Sequence, residues 1–323
     1  MEKVRNLDVR NHGLRSRDIA SALKNALIER GQSYKSVATN ASHLRDFSQN
    51  LKDQGIKDLR KLERTHVQNY AENLRISVER GEISPSTAQN RLSAVNVSLE
   101  QARQNKDLHV SGVRDANLQS RTHVAAHDKS LPLESHRAIC DAVSDRLSAQ
   151  MNLQRELGLR FKESCLLNAR AALAEAQKNG SVTISDGTKG GRSRSVPISQ
   201  PGQIAALERG ASIQGMERSL VPATQRFSEY QRAAYEEISK HGISFHSERH
   251  AFANDRFSIL TGLDSPVRFD TASYLSWEGY ACKTLQISSE ELKLMVDSAR
   301  LQLSEELGHG RIQVTSAYLG SFS

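Results

Sequence analysis

No apolar run in this sequence approaches the length of about 20 residues that a membrane-spanning helix needs. The opening "MEKVRNLDVRNHGLRSRDIA" is basic but has no apolar segment behind it, so it does not read as a secretory signal. These two absences set aside membrane attachment and fit a cytoplasmic protein. Cysteine is equally scarce. Cys140, Cys165 and Cys282 are odd in number, far apart and without a CxxC pair, which sets aside a disulfide scaffold and fits a reduced compartment. Aromatic residues make up only 5% and hydrophobic residues 37%, a composition that argues against a β-sandwich or barrel. What is present instead is Ala, Leu, Ser, Arg, Gln and Glu, the residues of a helix-rich protein. At 323 residues the length suggests two domains, each able to bury a core.

The formal net charge of +7 is unevenly spread. Residues 1–120 hold 20 Lys and Arg against 14 Asp and Glu, a net of +6, whereas 121–323 hold 24 against 23. An excess confined to one half suggests that this half meets a polyanion.

Four stretches in the first half repeat apolar residues at helical spacing: 17–30, 34–54, 65–80 and 86–105. The breakers "GQS", "QGIKD" and "GEISP" separate them, and "SPSTAQ" reads as a helix start with Ser84 or Ser86 as its cap. Short connections between helices favour antiparallel neighbours, hence a compact four-helix domain over 17–112 behind a basic segment, 1–16. Periodicity fades after 107, and 113–130 reads as a linker. Helical pattern returns from 131 to the end, interrupted by "SVTISDGTKGGRSRSVPIS" (181–199). There β-branched residues flank a Gly-, Lys- and Arg-rich turn, the signature of a hairpin.

Four pieces of the second half could carry chemistry: "ELGLRFKES" with Arg160 and Glu163, the hairpin with Lys189, "SFHSERHAF" with His246, Arg249 and His250, and "LGHGRIQVTSAY" with His309 nine positions before Tyr318. Singly each has a plain alternative: a solvated arginine, a soluble loop tip, a chance pattern, a histidine satisfied in a core. Together they describe a site that attacks a phosphodiester. The dianionic centre in flight needs fixed positive donors, and two guanidiniums offer planar forks that stay charged. A tyrosine can be the nucleophile and store the bond energy as a phosphotyrosine. A lysine on a mobile hairpin can protonate the leaving oxygen, and histidines can take the tyrosine proton or hydrogen-bond the phosphate. His246 and Arg249, three apart on a predicted helix, share a face.

These boxes, in this order, resemble the tyrosine recombinase (phage integrase) family, whose pattern is "TGLR-x-x-E", "GKG…R-x-VP", "H-x-x-R-H" and "LGH…Y". Here they read "LGLRFKE", "TKGGRSRSVP", "HSERH" and "LGHGRIQVTSAY", spanning 157–318. "SPSTAQNRLSAV" is similar, more weakly, to the last helix of the family's core-binding domain. The resemblance implies a mainly α protein: an N-terminal four-helix core-binding (SAM-like) domain, then a mixed, mostly helical catalytic domain over 131–323 with a small antiparallel sheet. It implies Arg160 and Arg249 as the phosphate clamp, Lys189 as general acid, His246 as base or phosphate contact, His309 as phosphate donor and Tyr318 as nucleophile. Glu163 and His250 would orient them. Lys35, Arg45, Arg91, Arg192 and Arg194 are the candidates for DNA contact. No cofactor or metal is implied. The implied partners are a double-stranded recombination site and a homotetramer on DNA, with a dimer per site and accessory DNA-bending proteins left open. Localisation would be cytoplasmic, with the nucleoid when on DNA.

Two departures from the family pattern carry expectations of their own. His250 and His309 are 59 positions apart, more than in Xer-like relatives, so an insertion is placed at about 256–296. It contains the single tryptophan, Trp277, and is the candidate for coupling protomers, because no tail helix follows Tyr318 and residues before 17 leave no room for a separate arm-binding domain. The terminal position of Tyr318 predicts a lightly anchored nucleophile that is docked or withheld. Rival readings are a metal enzyme built on the i, i+4 pair His246 and His250, a DNA-binding relative without strand exchange, and a type IB topoisomerase-like activity. The first leaves the arginines, Lys189 and Tyr318 unexplained.

Overall fold

The computed structural model describes residues 5–269 and 276–322, and the chain divides into two compact units, 1–122 and 123–323. In the first, α1 (Ile19–Glu29), α2 (Tyr34–Asp53), α3 (Arg64–Glu79) and α4 (Pro85–Arg103) follow the four periodic stretches. Their starts are set by local chemistry. Asp18, Ser33 and Ser84 each accept a backbone N–H of the first turn, and Pro85 occupies the first position of α4, where a missing N–H costs nothing. Their apolar faces close on one core that includes Leu23, Leu27, Leu44, Phe47, Leu74, Val95 and Leu99. Residues expected in the linker extend this core. A short α5 (Gly112–Ala116) lies there, and Val110, Ala116 and Leu118 are buried with the bundle. The fading periodicity concealed them because one helical turn is too short to show a period.

The second unit is α6 (Leu133–Ala142), α7 (Asp145–Leu157), α8 (Phe161–Leu166), α9 (Ala169–Asn179), the strands β1 (Ser181–Ile184) and β2 (Arg194–Pro197), then α10 (Pro201–Gln214), α11 (Phe227–Ser239), α12 (His246–Thr261), α13 (Trp277–Leu285), α14 (Ser289–Glu306) and α15 (Ser316–Leu319). The hairpin is antiparallel, with Ser181 opposite Pro197 and Ile184 opposite Arg194. Two apolar clusters fill the unit. One, around Leu147, Met151, Phe161, Tyr230 and Phe245, lies beneath α6, α8 and α11; the other, around Leu153, Val182, Leu207, Phe257 and Leu303, holds the hairpin and α14. Helix α7 serves both, and α12 packs on α7, α14 and α15.

Because α12 is buried without a break from Glu248 to Asn254 and again at Arg256 and Phe257, its polar residues there need partners inside the protein. Glu248 accepts from His136 and Arg155, Asn254 donates to Ser130 Oγ, and Arg256 grips Glu306 of α14 at 2.8 Å. That last pair ties the start of the expected insertion, 256–296, to the residue just before the "LGH" box. Residues 256–261 are the end of α12, with Arg256 and Phe257 buried, and α14 begins at Ser289. Of the expected insertion, 270–275 lie outside the described residues, as do 1–4 of the basic N-terminal segment. Trp277 is buried: its ring packs on Phe257 and Phe322, and Nε1 donates to the Asp264 carbonyl at 2.8 Å.

Candidate active site

Arg249, on the first turns of α12, is fully buried, the largest side chain in the protein of which that is true. Nη1 donates to the Gly158 carbonyl and Nη2 to the Leu307 carbonyl, while Nε reaches Tyr318 Oη at 3.3 Å. The contact with Gly158 explains the glycine of "LGLR". Gly158 ends α7 with φ +62°, and a Cβ there would meet the Phe252 ring at 2.5 Å. Burial lowers the Arg249 pKa to about 10, with the charges of Arg160 and Arg194 acting the same way. It is still a cation at neutral pH, and among the described residues no carboxylate pairs with it.

Arg160 caps α8, its Nη1 on Glu163 Oε1 at 2.7 Å while Glu163 Oε2 accepts the Arg160 backbone N–H at 2.8 Å. Glu163 is itself buried, which alone would raise its pKa. The hydrogen bonds and charge of Arg194, with Arg160 behind them, reverse this and hold it at about 2. Arg194, expected to meet DNA, is turned inward. It makes a two-point pair with Glu163 at 2.9 and 2.7 Å and donates from Nε to the Glu306 carbonyl at 2.7 Å. Strand alternation puts Arg194 and Val196 on the buried side of β2. The glycine of "LGH", Gly308, lies so close that a Cβ would approach Arg194 Cδ at 2.9 Å. Two guanidiniums thus share the Glu163 carboxylate while Arg249 has none among the described residues, leaving positive charge in excess where Tyr318 sits.

Tyr318 is only 4% exposed. Its hydroxyl lies 3.2 Å from His309 Nε2, which is also 3.3 Å from Arg249 Nη2. The rings of His250, His246 and His309 stand 4.8, 5.8 and 5.9 Å from the tyrosine ring. Burial, then the charges of Arg249, Arg160 and Arg194, push His309 down to about 4; burial and His246 do the same for His250. His246 shifts downward too, through the protein behind its ring and through Arg249 and Arg160, although its side chain remains exposed. All three are therefore neutral at pH 7 and can accept a proton.

The structure thus gathers Arg160, Arg249, His246, His250, His309 and Tyr318, with Glu163 beneath them. Lys189 is outside this contact network. It lies exposed in the hairpin turn, followed by Gly190 and Gly191 at φ +74° and +71°. Of the remaining candidates, Lys35, Arg45 and Arg192 are exposed, whereas Arg91 is engaged with Asp46 at 3.1 Å. Nor is Tyr318 lightly anchored. The Ala125 N–H donates to the Ser316 carbonyl and the Val267 N–H to the Leu319 carbonyl, Leu319 is fully buried, and Phe322 packs on Trp277 beneath the Arg300 guanidinium. Sequence reading missed these anchors because the partners are 22 to 191 positions away, with no local pattern linking them.

The fold is similar to that of two solved integrases. It is similar to the Tn1549 transposon integrase in complex with a circular intermediate DNA, with a TM-score of 0.58 at 12% identity over 95% of this chain and 96% of that one. It is also similar to a lambda integrase tetramer bound to a Holliday junction, with a TM-score of 0.52 at 15% identity over 90% and 78% of the two chains. Residues 119–255 match the integrase family model. No curated protein matches the sequence.

Proposed function

We propose that this protein is a site-specific DNA recombinase that cuts and rejoins strands through Tyr318, serving integration or excision of a mobile element. The observation that carries the reading is the tyrosine hydroxyl held between Arg249 Nε, which has no carboxylate partner among the described residues, and His309 Nε2, beside Arg160 and Arg194, which share the one carboxylate of Glu163. A scissile phosphate drawn to that positive excess would replace the tyrosine hydroxyl as partner of Arg249 and meet the exposed Arg160 edge. Fixed donors aimed at the developing charge lower the barrier without a nucleotide or metal. Neutral His309 and His246 suit the tasks of accepting the tyrosine proton and hydrogen-bonding the phosphate. Lys189, exposed on a glycine-rich turn, would come to the leaving 5′-oxygen as its acid. Attack by Oη then forms a 3′-phosphotyrosine and frees a 5′-hydroxyl. Return attack by the 5′-hydroxyl of a partner strand rejoins the backbone, and two such rounds in a tetramer pass through a Holliday junction. Residues 17–112 act in this scheme as the core-binding domain and 131–323 as the catalytic domain.

The test is a nicked or suicide DNA duplex carrying the recombination site. Wild-type protein is expected to give an SDS-stable protein–DNA adduct, and Tyr318→Phe to bind the same duplex and give none. An adduct of undiminished yield from Tyr318→Phe overturns the assignment.

A further inference from the structure

Away from the tyrosine, a thiol, an imidazole and a carboxylate come together that recombination leaves unused. His136 and Cys140 lie one turn apart on α6 and so share a face. The Cys140 sulfur is 3.7 Å from His136 Nε2 and 3.9 Å from Nδ1. On the other side of the ring, Nδ1 is 2.7 Å from Oε1 of the fully buried Glu248, whose Oε2 accepts from Arg155 at 3.2 Å. Asn152 completes the surround: its Nδ2 approaches the sulfur at 3.7 Å and its Oδ1 lies 3.4 Å from His136 Nε2. Burial alone would lower the His136 pKa, but the contacts with Cys140 and Glu248 overcome it and raise it to about 9, so the ring is an imidazolium at neutral pH. The other two cysteines are differently placed. Cys165 is fully buried in an apolar cluster, and Cys282 has a serine hydroxyl, Ser289 Oγ, at 3.8 Å. Cys140 alone is half-buried beside a positive ring, the kind of surroundings in which cysteines react with small oxidants.

We propose that Cys140 is a reversible oxidation site, converted by a hydroperoxide to a sulfenic acid with His136 as its proton donor. The Cys140 thiolate attacks one peroxide oxygen. The S–O bond forms and the O–O bond breaks, the sulfur giving up two electrons and the peroxide gaining them. The departing hydroxide takes the His136 proton and leaves as water. His136 is then neutral, and Glu248 loses a charged partner and faces Arg155 alone. Because Glu248 belongs to α12, the state of the thiol is transmitted to the helix that carries Arg249 and His250.

The reduced full-length protein, exposed to stoichiometric hydrogen peroxide and trapped with dimedone, reads this directly by peptide mass spectrometry. The adduct is expected at Cys140 at least roughly tenfold faster than at Cys282, and to be absent when dithiothreitol precedes the trap. His136→Asn is expected to slow Cys140 to the rate of Cys282. Since that variant also removes a buried partner of Glu248, the wild-type comparison is decisive: equal rates, or labelling confined to Cys282, overturn the proposal. Amide hydrogen exchange along α12 should rise in the oxidised protein, and unchanged exchange refutes the link to that helix.

Discussion

At the scale of single residues, the site is built from side chains that oppose the usual rules of burial. Arg249 is a charge taken wholly out of water and given two carbonyls and a hydroxyl instead of a carboxylate. Its fork must reach Gly158 and Leu307 at once, which an ammonium cannot do. Arg249→Lys should therefore keep DNA binding while adduct formation falls by about two orders of magnitude, a size typical of losing one positioned donor. Equal rates of adduct formation would remove the fork from the mechanism. Gly158 can be separated from an ordinary helix-ending glycine in the same protein. Gly158→Ala meets both the left-handed backbone and the Phe252 ring, for a cost of about 3 kcal/mol, whereas Gly180→Ala, with φ +66° and open space around it, should cost about 1 kcal/mol. Urea unfolding midpoints of the two variants measure the difference. The residues of the clamp were legible in sequence because each sits in a short box. The direction of Arg194 was not, since it depends on strand register and on Glu163, 31 positions earlier.

At the scale of elements, α12 is the member on which the second unit depends. It presents Arg249 and His250 to the tyrosine, and Glu248 to α6 and α7. Removing Glu248 leaves His136 and Arg155 as buried cations without their shared partner, and Glu248→Ala should cost about 3–5 kcal/mol in chemical unfolding. A loss below 1 kcal/mol would show that the network is incidental. The helices of the first unit and the hairpin could be read from period and turn composition. The packing of the tail could not: Phe322 rests on Trp277, from the segment between the "HSERH" and "LGH" boxes, and on Arg300. That segment looked like a surface for a neighbour because an isolated tryptophan in a loop-rich stretch carries no mark of what covers it.

Across the whole molecule, the folded state depends on pH through groups whose windows do not coincide. His250 and His309, both near 4, are neutral in the folded chain and charge near 6.5 when unfolded. Their contribution is present above 6.5 and is lost as pH falls through 4. Glu163, near 2, adds a second loss that starts below its ordinary 4.5. His136, near 9, works the opposite way: its contribution is complete below 6.5 and disappears as pH rises through 9. Thermal unfolding from pH 3 to 10 should accordingly show greatest stability between the acid and alkaline losses. In His136→Asn the alkaline decline should flatten while the acid decline is kept, and an unaltered alkaline slope would refute the assignment.

The burial of α12 from Glu248 to Asn254 and at Arg256 and Phe257 also bears on how this chain can change over time. A helix with one wet face tolerates exchange at two positions in every turn or so. One that faces the tyrosine, the thiol, the hairpin-bearing core and α14 in turn has no such margin. Saturation mutagenesis scored by folding and recombination should return 248–257 as a nearly unbroken block of intolerance, without the three-to-four-residue rhythm of neighbouring α14. Variation in this chain would then have to enter at exposed places such as the hairpin tip, where side chains can be exchanged without disturbing four partners at a time.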